Sequence, residues 1–275
     1  MKAGTPVVVE PPAGLFHIDF RSLWEYRELL YFLVWRDLKV RYKQTAIGIG
    51  WAVLQPLTAM AIFTVVFGRF ARVPSDGLPY PVFAYCALLP WNYFASALNR
   101  AILSVVGEAH LISKIYFPRL LLPLAGPISG MVDFAVPFVL LIGMMAWYRI
   151  PLSWAVLTVP LFLILAFLIA LAVGLWLSAL NVRYRDVAYT IPFLVQIWFF
   201  ATPVVYPLSL VPEKYRLLYS LNPMVGVVGG FRWALLGQAR PEPGVLAASV
   251  AVVTLLLIGG LVFFRHMEDQ FVDVV

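Results

Sequence analysis

The run Trp35-Arg36-Asp37-Leu38-Lys39-Val40-Arg41-Tyr42-Lys43 leads through Thr45-Ala46-Ile47-Gly48-Ile49-Gly50 into Trp51-Ala52-Val53-Leu54-Gln55-Pro56. A basic, aromatic segment thus passes over a glycine hinge into an apolar one, as when a helix lying on a membrane surface enters a spanning helix. Lys39, Arg41 and Lys43 suit anionic headgroups, while Trp35 and Tyr42 suit the interface. Ser22 followed by Glu25 offers a capping box to start the surface helix. Tyr31, Trp35, Leu38 and Tyr42 fall on one helical stripe, and Glu25, Glu28, Arg36, Lys39 and Lys43 on another. A plain juxtamembrane anchor would look the same, so the role of this helix must come from other evidence.

Working outward, 275 residues of which 62% are hydrophobic and 12% charged cannot hide their apolar surface in one water-soluble core. The mean hydropathy of +0.88 says the same. The net charge of +6 comes from cations that flank apolar runs, which fits control of membrane topology better than nucleic-acid binding. Cys86 is the single cysteine, so neither an intrachain disulfide nor a cysteine metal cage is available. The first twenty residues lack the apolar centre of a cleavable signal and hold Pro6, Pro11 and Pro12; residues 1–21 read as a disordered tail.

Six segments approach the roughly 20 apolar residues that span a bilayer. They are 48–67, 81–103, 120–146, 154–180, 190–206 and 246–264. The fifth is marginal because Pro192 and Pro203 interrupt it. With both termini cytoplasmic, the inner side receives the cations from Arg21 to Lys43, then Arg100, Lys114, Arg119, Arg183, Arg185 and Arg265, as the positive-inside bias requires. Residues 107–119 read as a short amphipathic helix stopped by Pro118. In the outer stretch 208–238, an apolar piece from Met224 to Leu236 contains Gly226, Gly229 and Gly230, which weaken it as a helix. It reads as re-entrant, or alternatively as an interfacial helix lying flat.

No Gly-x-x-x-x-Gly-Lys-Ser/Thr loop for nucleotide phosphates occurs, and His17, His110 and His266 lack metal-ligand spacing. Asp186 and Glu108 do not form the acidic pairs that membrane glycosyl or phosphoryl transfer would use. The chain reads as a non-enzyme with no catalytic residue, metal site or cofactor of its own. Asp133 is the one acid deep in a span, where burying charge costs about 2.5–3.5 kcal/mol. Proton coupling is one reading; a structural acid, protonated or bonded to a neighbouring helix and without a basic partner in the spans, is the other. Trp51, Tyr184, Trp198 and Tyr206 belong to an interfacial aromatic belt or to a conduit for sugar rings.

In order and spacing these blocks resemble the permease subunits of ABC-2 type transporters, in the branch exporting lipid-linked polysaccharides such as O-antigens, capsules and teichoic acids. The resemblance is carried by Val34 to Lys43 with Gly48-Ile49-Gly50-Trp51 and Gln55-Pro56, then Leu111-Ile112-Ser113-Lys114-Ile115-Tyr116-Phe117-Pro118-Arg119, Leu180-Asn181-Val182-Arg183-Tyr184-Arg185-Asp186-Val187 and Leu221-Asn222-Pro223-Met224. It implies an all-α membrane protein of six transmembrane helices, with an interface helix over 22–46, a transmembrane domain over 47–275 and short re-entrant helices before the last span. It implies a homodimer in the cytoplasmic (inner) membrane working with two copies of a separate ATP-binding subunit, which would hold ATP and Mg. The substrate would be a polyprenyl-linked glycan whose headgroup meets Arg36, Lys39, Arg41 and Lys43. Ile112, Lys114, Ile115, Tyr116 and Arg119 would form the helix that couples to the ATPase, with Ile112, Ile115 and Tyr116 as its apolar face. Rival readings are an ABC-2 permease for another lipid or a drug, a proton-coupled carrier relying on Asp133, and a membrane glycosyltransferase.

Overall fold

Unbroken apolar runs satisfy their backbone polar groups within themselves by forming helices, which is the requirement for crossing lipid. The computed structural model describes residues 20–43, 50–268 and 271, and among these there are helices and connections but no strand. The hinge residues Thr45, Gly48 and Ile49 lie outside the described residues. Helices α1 (Phe20–Glu25) and α2 (Arg27–Lys43) precede α3 (Gly50–Phe63), which continues as a π-helical stretch, Thr64–Phe70. Then come α4 (Tyr80–Gly107), α5 (Ala109–Ile112), α6 (Leu121–Trp147) and α7 (Val159–Arg183), the last entered through a 3₁₀ turn, Trp154–Thr158. Helices α8 (Val187–Phe200), α9 (Glu213–Tyr219), α10 (Pro223–Leu236) and α11 (Pro243–Glu268) complete the chain.

Among the described residues four helical stretches are long and apolar enough to cross a membrane: Val53–Phe70, Leu121–Trp147, Trp154–Arg183 and Pro243–Glu268. The other two of the six expected crossings differ for separate reasons. Helix α4 has the length, at 28 residues, but carries Asn92, Asn99 and Arg100 and is less apolar. Helix α8 has only 14 residues, about 21 Å of rise. It ends at Phe200, two residues short of the Thr202-Pro203 bond that disfavours helix, and the chain turns there.

Helix α4 is the hub, packed against α6, α7 and α10. The main core joins residues such as Tyr85, Phe94, Phe134, Ala166, Met224 and Phe231 from these four helices. A second core at the other end of the bundle gathers Leu33, Val105, Ile112, Leu121, Leu175 and Phe264. It ties α2, the end of α4, the α5 loop and the last turns of α11 together.

Several local expectations need correction. Ser22 is not an N-cap; it lies within α1, where its carbonyl accepts the Tyr26 N–H at 3.0 Å, and the chain breaks at Tyr26 before α2. The 107–119 stretch is not one amphipathic helix. Helix α5 has four residues, Ala109–Ile112, and Ser113-Lys114 turns into extended chain leading to Pro118. Ile112 consequently points into the second core at 7% exposure while Ile115 and Tyr116 stand out at 50% and 67%, so the three do not share a face. The glycines of α10 do not weaken it either. Asn222 caps its start by accepting the Met224 N–H at 3.1 Å, Pro223 occupies the first turn, and Gly237 closes it at φ 67°. Gly226 and Gly230 are packing sites: a Cβ at Gly226 would lie 2.7 Å from Ser249 Oγ, and one at Gly230 would overlap the Phe162 ring.

Candidate functional site

Helix α2 packs along α6. Its Leu33 sits in the second core with Leu121 and Leu122, and its Arg41 reaches Asp133, about three turns further along α6. This path divides the cations that the sequence groups together. Arg36 and Arg41 turn inward, whereas Lys39 and Lys43 are exposed, as are Tyr31 and Trp35.

Arg36 makes a two-pronged contact with Glu108, Nη1 donating to Oε2 at 2.9 Å and Nη2 to Oε1, and Nη2 also meets Asp37 at 3.2 Å. The hydrogen bonds to Glu108 are the main reason its pKa is raised above the ordinary arginine value. The pair joins α2 to the residue that begins the α5 loop. At the other end of that loop, Arg119 is bound by Glu268 of α11: the Arg119 N–H donates to Oε1 at 3.3 Å and its Nη1 to the Glu268 carbonyl.

Asp133 is not without a basic partner, contrary to the sequence reading. Arg41 Nη1 donates to Oδ2, Tyr42 donates from its hydroxyl to Oδ1 at 2.5 Å, and Arg100 Nη1 lies 3.4 Å from Oδ2. Arg100 is seated from α4 by donating from Nε to the Gly126 carbonyl at 3.1 Å and from Nη2 to Ser96 Oγ at 3.3 Å. Gly126-x-x-x-Gly130 makes that possible. A Cβ at Gly126 would come within 2.8 Å of Arg100 Cβ, and one at Gly130 would overlap Arg100 Nη2. The small residues bring α4 and α6 close and leave a slot for a guanidinium.

These charges border an open cleft of about 580 Å³ between the end of α2 and helices α3, α4, α6 and α8. Besides Arg41, Arg100 and Asp133, its walls present Trp51, Gln55, Asn92, Tyr93 and Asn99. Such a surface offers cations for an anion, amides for hydroxyls and aromatic faces for sugar rings. Sequence reasoning missed Arg100, Asn92, Asn99 and Gln55 as site residues. The available signal was a charged and amide-bearing helix opposite a Gly-x-x-x-Gly pair and an intramembrane acid.

The four aromatic candidates do not share one place. Trp51 is in the cleft and half exposed. Tyr184 lies exposed beyond α7, with the Arg183 guanidinium 5.5 Å from its ring centre. Trp198 packs edge-on against Phe94 and donates to Asn222 Oδ1 at 2.8 Å. Tyr206 donates to the Phe200 carbonyl at 3.1 Å and meets the Tyr219 hydroxyl. Nearby, buried Arg232 of α10 holds the turn after α8, donating to the carbonyls of Pro203 and Val204 at 2.7 Å each, with its guanidinium 3.6 Å from the Phe83 ring centre. Among the described residues no group of His, Cys, Asp and Glu could hold a metal ion.

Known proteins carry the same pattern over nearly the whole chain. An O-antigen export system permease protein RfbA of Myxococcus xanthus is 31% identical over 92% of this chain and 97% of its own length. A protein of the same name from Klebsiella pneumoniae is 27% identical over 90% and 95%. The polysialic acid transport protein KpsM of Escherichia coli is 24% identical over 85% and 91%. The model of the ABC-2 type transporter family matches residues 28–236, from the first turn of α2 to the end of α10, and the chain belongs to that family.

Proposed function

We propose that this chain is the permease subunit of an ABC transporter that exports a lipid-linked polysaccharide of the O-antigen, capsule or teichoic acid type. The observation that carries the reading is the cleft beside α2, which combines two guanidiniums, amides and aromatic faces where α2 approaches α3, α4, α6 and α8. A glycan attached to a polyprenyl diphosphate has the matching parts: a charged headgroup at the membrane surface and sugars that present hydroxyls and apolar ring faces. The names of the similar proteins, which concern O-antigen export and polysialic acid transport, support the same substrate class. A cleft for another lipid or a drug would have less use for so many amides.

In this proposal six segments cross the cytoplasmic membrane, with α4 and α8 added to the four apolar ones and both termini inside. Burial of α10 among α4, α7 and α11 favours a re-entrant over a flat-lying arrangement of α9 and α10. The permease acts as a homodimer with two copies of a separate ATP-binding subunit, which holds ATP and Mg. The loop 108–119 is the contact to that subunit, offering Ile115, Tyr116 and Lys114 at the surface. Exposed Lys39 and Lys43 gather anionic lipid, and Arg41 stands at the cleft. The test is deletion of the gene in its own host, with surface glycan and intracellular lipid-linked glycan measured. Loss of the first with accumulation of the second is expected; unchanged surface glycan would sink the proposal.

A further inference from the structure

Asp133 stands near the middle of α6, where two guanidiniums converge on it. Arg41 and Arg100 both face its Oδ2, the latter at 3.4 Å, while Tyr42 bonds Oδ1 at 2.5 Å. Two guanidiniums thus reach one carboxylate oxygen beside a cleft of about 580 Å³. Asp37 of α2 meets Arg36 at 3.2 Å, and Arg36 also holds Glu108. Arg100 is also fixed from behind, by Gly126, Ser96 and the missing side chain of Gly130. A guanidinium held this way stays in place when the anion in front of it changes.

We propose that Asp133 is an internal stand-in for a diphosphate: Arg41 and Arg100 form a two-guanidinium seat in which the diphosphate of a lipid-linked substrate replaces the Asp133 carboxylate. The proposal rests on the export reading above and names the group that its site would recognise. Each guanidinium offers parallel N–H donors that fit a phosphoryl group, so two of them suit two linked phosphoryl groups. The exchange forms and breaks no covalent bond. Tyr42 and the cleft's amides remain available to the displaced carboxylate and to the arriving oxygens.

The built-in acid also explains how bulk lipid is refused. A phospholipid headgroup with one phosphodiester brings a single negative charge, about what the seat already holds, and gains little by entering. A diphosphate brings more charge and a second phosphoryl group, and it can win the exchange. Asp133 therefore sets selectivity by lowering affinity for every anion and leaving only the stronger one able to bind.

The full-length chain in phosphatidylcholine nanodiscs tests this with two probes, undecaprenyl diphosphate and phosphatidylglycerol. If the seat is vacant only about a tenth of the time in the native chain, Asp133→Asn should bind the diphosphate roughly tenfold tighter. It should also discriminate less against phosphatidylglycerol. Equal or weaker diphosphate binding by a correctly inserted Asp133→Asn overturns the exchange. Arg100→Lys keeps the charge and the pairing with Asp133 but loses the planar fork, so it stands as the second variant if Asp133→Asn does not insert. It should lose roughly tenfold in diphosphate affinity, about 1.4 kcal/mol, with phosphatidylglycerol binding unmoved. Unchanged diphosphate binding by Arg100→Lys overturns the seat. Either failure in a chain that still supports surface glycan leaves the export reading standing, whereas a gene deletion without loss of surface glycan removes that reading by itself.

Discussion

At Gly130 a single hydrogen atom decides whether Arg100 keeps its place in the cleft. Its missing Cβ is the space that Arg100 Nη2 occupies, and the guanidinium reaches Asp133 only through that slot. Gly130→Ala should force Arg100 off its position, at about 1–3 kcal/mol for an overpacked helix crossing. The expected outcome is a chain that inserts, melts at lower temperature in detergent and supports much less surface glycan. Thermal unfolding together with glycan blots checks it, and wild-type export from Gly130→Ala would dissociate the slot from function. The Arg36–Glu108 pair behaves differently from a titrating switch. Arg36 has its pKa raised by Glu108, so its share of stability is fully present below the ordinary arginine pKa and is lost only as pH rises through the still higher folded value. Between about pH 6 and 9, therefore, melting temperature should not change through this arginine, and Arg36→Lys, which lacks the fork, should show the same flat profile from a lower value. A slope confined to the native chain over that range would contradict this.

At the scale of elements, the loop 108–119 is fastened at both ends, by Arg36 of α2 to Glu108 and by Glu268 of α11 to Arg119. If this loop is the contact to the ATP-binding subunit, as proposed, a push on it would reach α2, whose Arg41, five residues beyond Arg36, holds the acid of the cleft. Reversing one partner, Arg36→Glu or Glu108→Arg, should reduce export, and the combined reversal should recover part of it. Melting of the four proteins in a double-mutant cycle should show a coupling of about 1 kcal/mol, modest because the pair is partly exposed. Absence of both coupling and rescue would make the contact incidental. Tyr116, by contrast, has its ring outside the fold at 67% exposure. Tyr116→Ala should leave melting unchanged and weaken co-purification of the ATP-binding subunit by up to about 2 kcal/mol if it is an interface anchor. The contrast shows what sequence could and could not supply. The long apolar helices, the helix 27–43 and the helix 223–236 were legible because each is written in consecutive residues: apolar length, basic-aromatic patterning, Asn222-Pro223 before and Gly237 after. The α5 loop was misread because periodicity cannot tell that Ile112 would be captured by a core built from Leu33, Val105 and Phe264, residues far away in the chain. The cleft was legible only in part for the same reason. Asp133 was conspicuous, but its partners Arg41, Tyr42 and Arg100 lie 92, 91 and 33 residues away, and no local pattern links them.

For the whole molecule, the question is how the division of labour among four cations serves transport. Lys39 and Lys43 face outward one turn apart beside Trp35, so the ring can rest at the apolar boundary while the ammonium groups reach headgroups. Each basic residue at an anionic surface contributes on the order of 1 kcal/mol, so Lys39→Ala with Lys43→Ala should weaken attraction of α2 to the membrane by about 2 kcal/mol in total. The interaction is with a charged surface and not with one atom, so salt should screen it and Arg should replace Lys without loss. Arg41 faces the cleft, where screening is weaker and geometry matters, so Arg41→Lys should fall between native and Arg41→Ala. The two defects are therefore distinguishable in reconstituted vesicles containing the permease and its ATP-binding subunit. The double lysine variant should lose substrate-stimulated ATP hydrolysis as anionic lipid is diluted with neutral lipid, and regain it when anionic lipid is restored. Arg41→Ala should lose it at every lipid composition. The permease alone should show no ATP hydrolysis in any of these vesicles, since its sequence has no phosphate loop. If the two variants respond identically to anionic lipid, α2 acts as one undivided basic surface and the inward turn of Arg41 has no separate role.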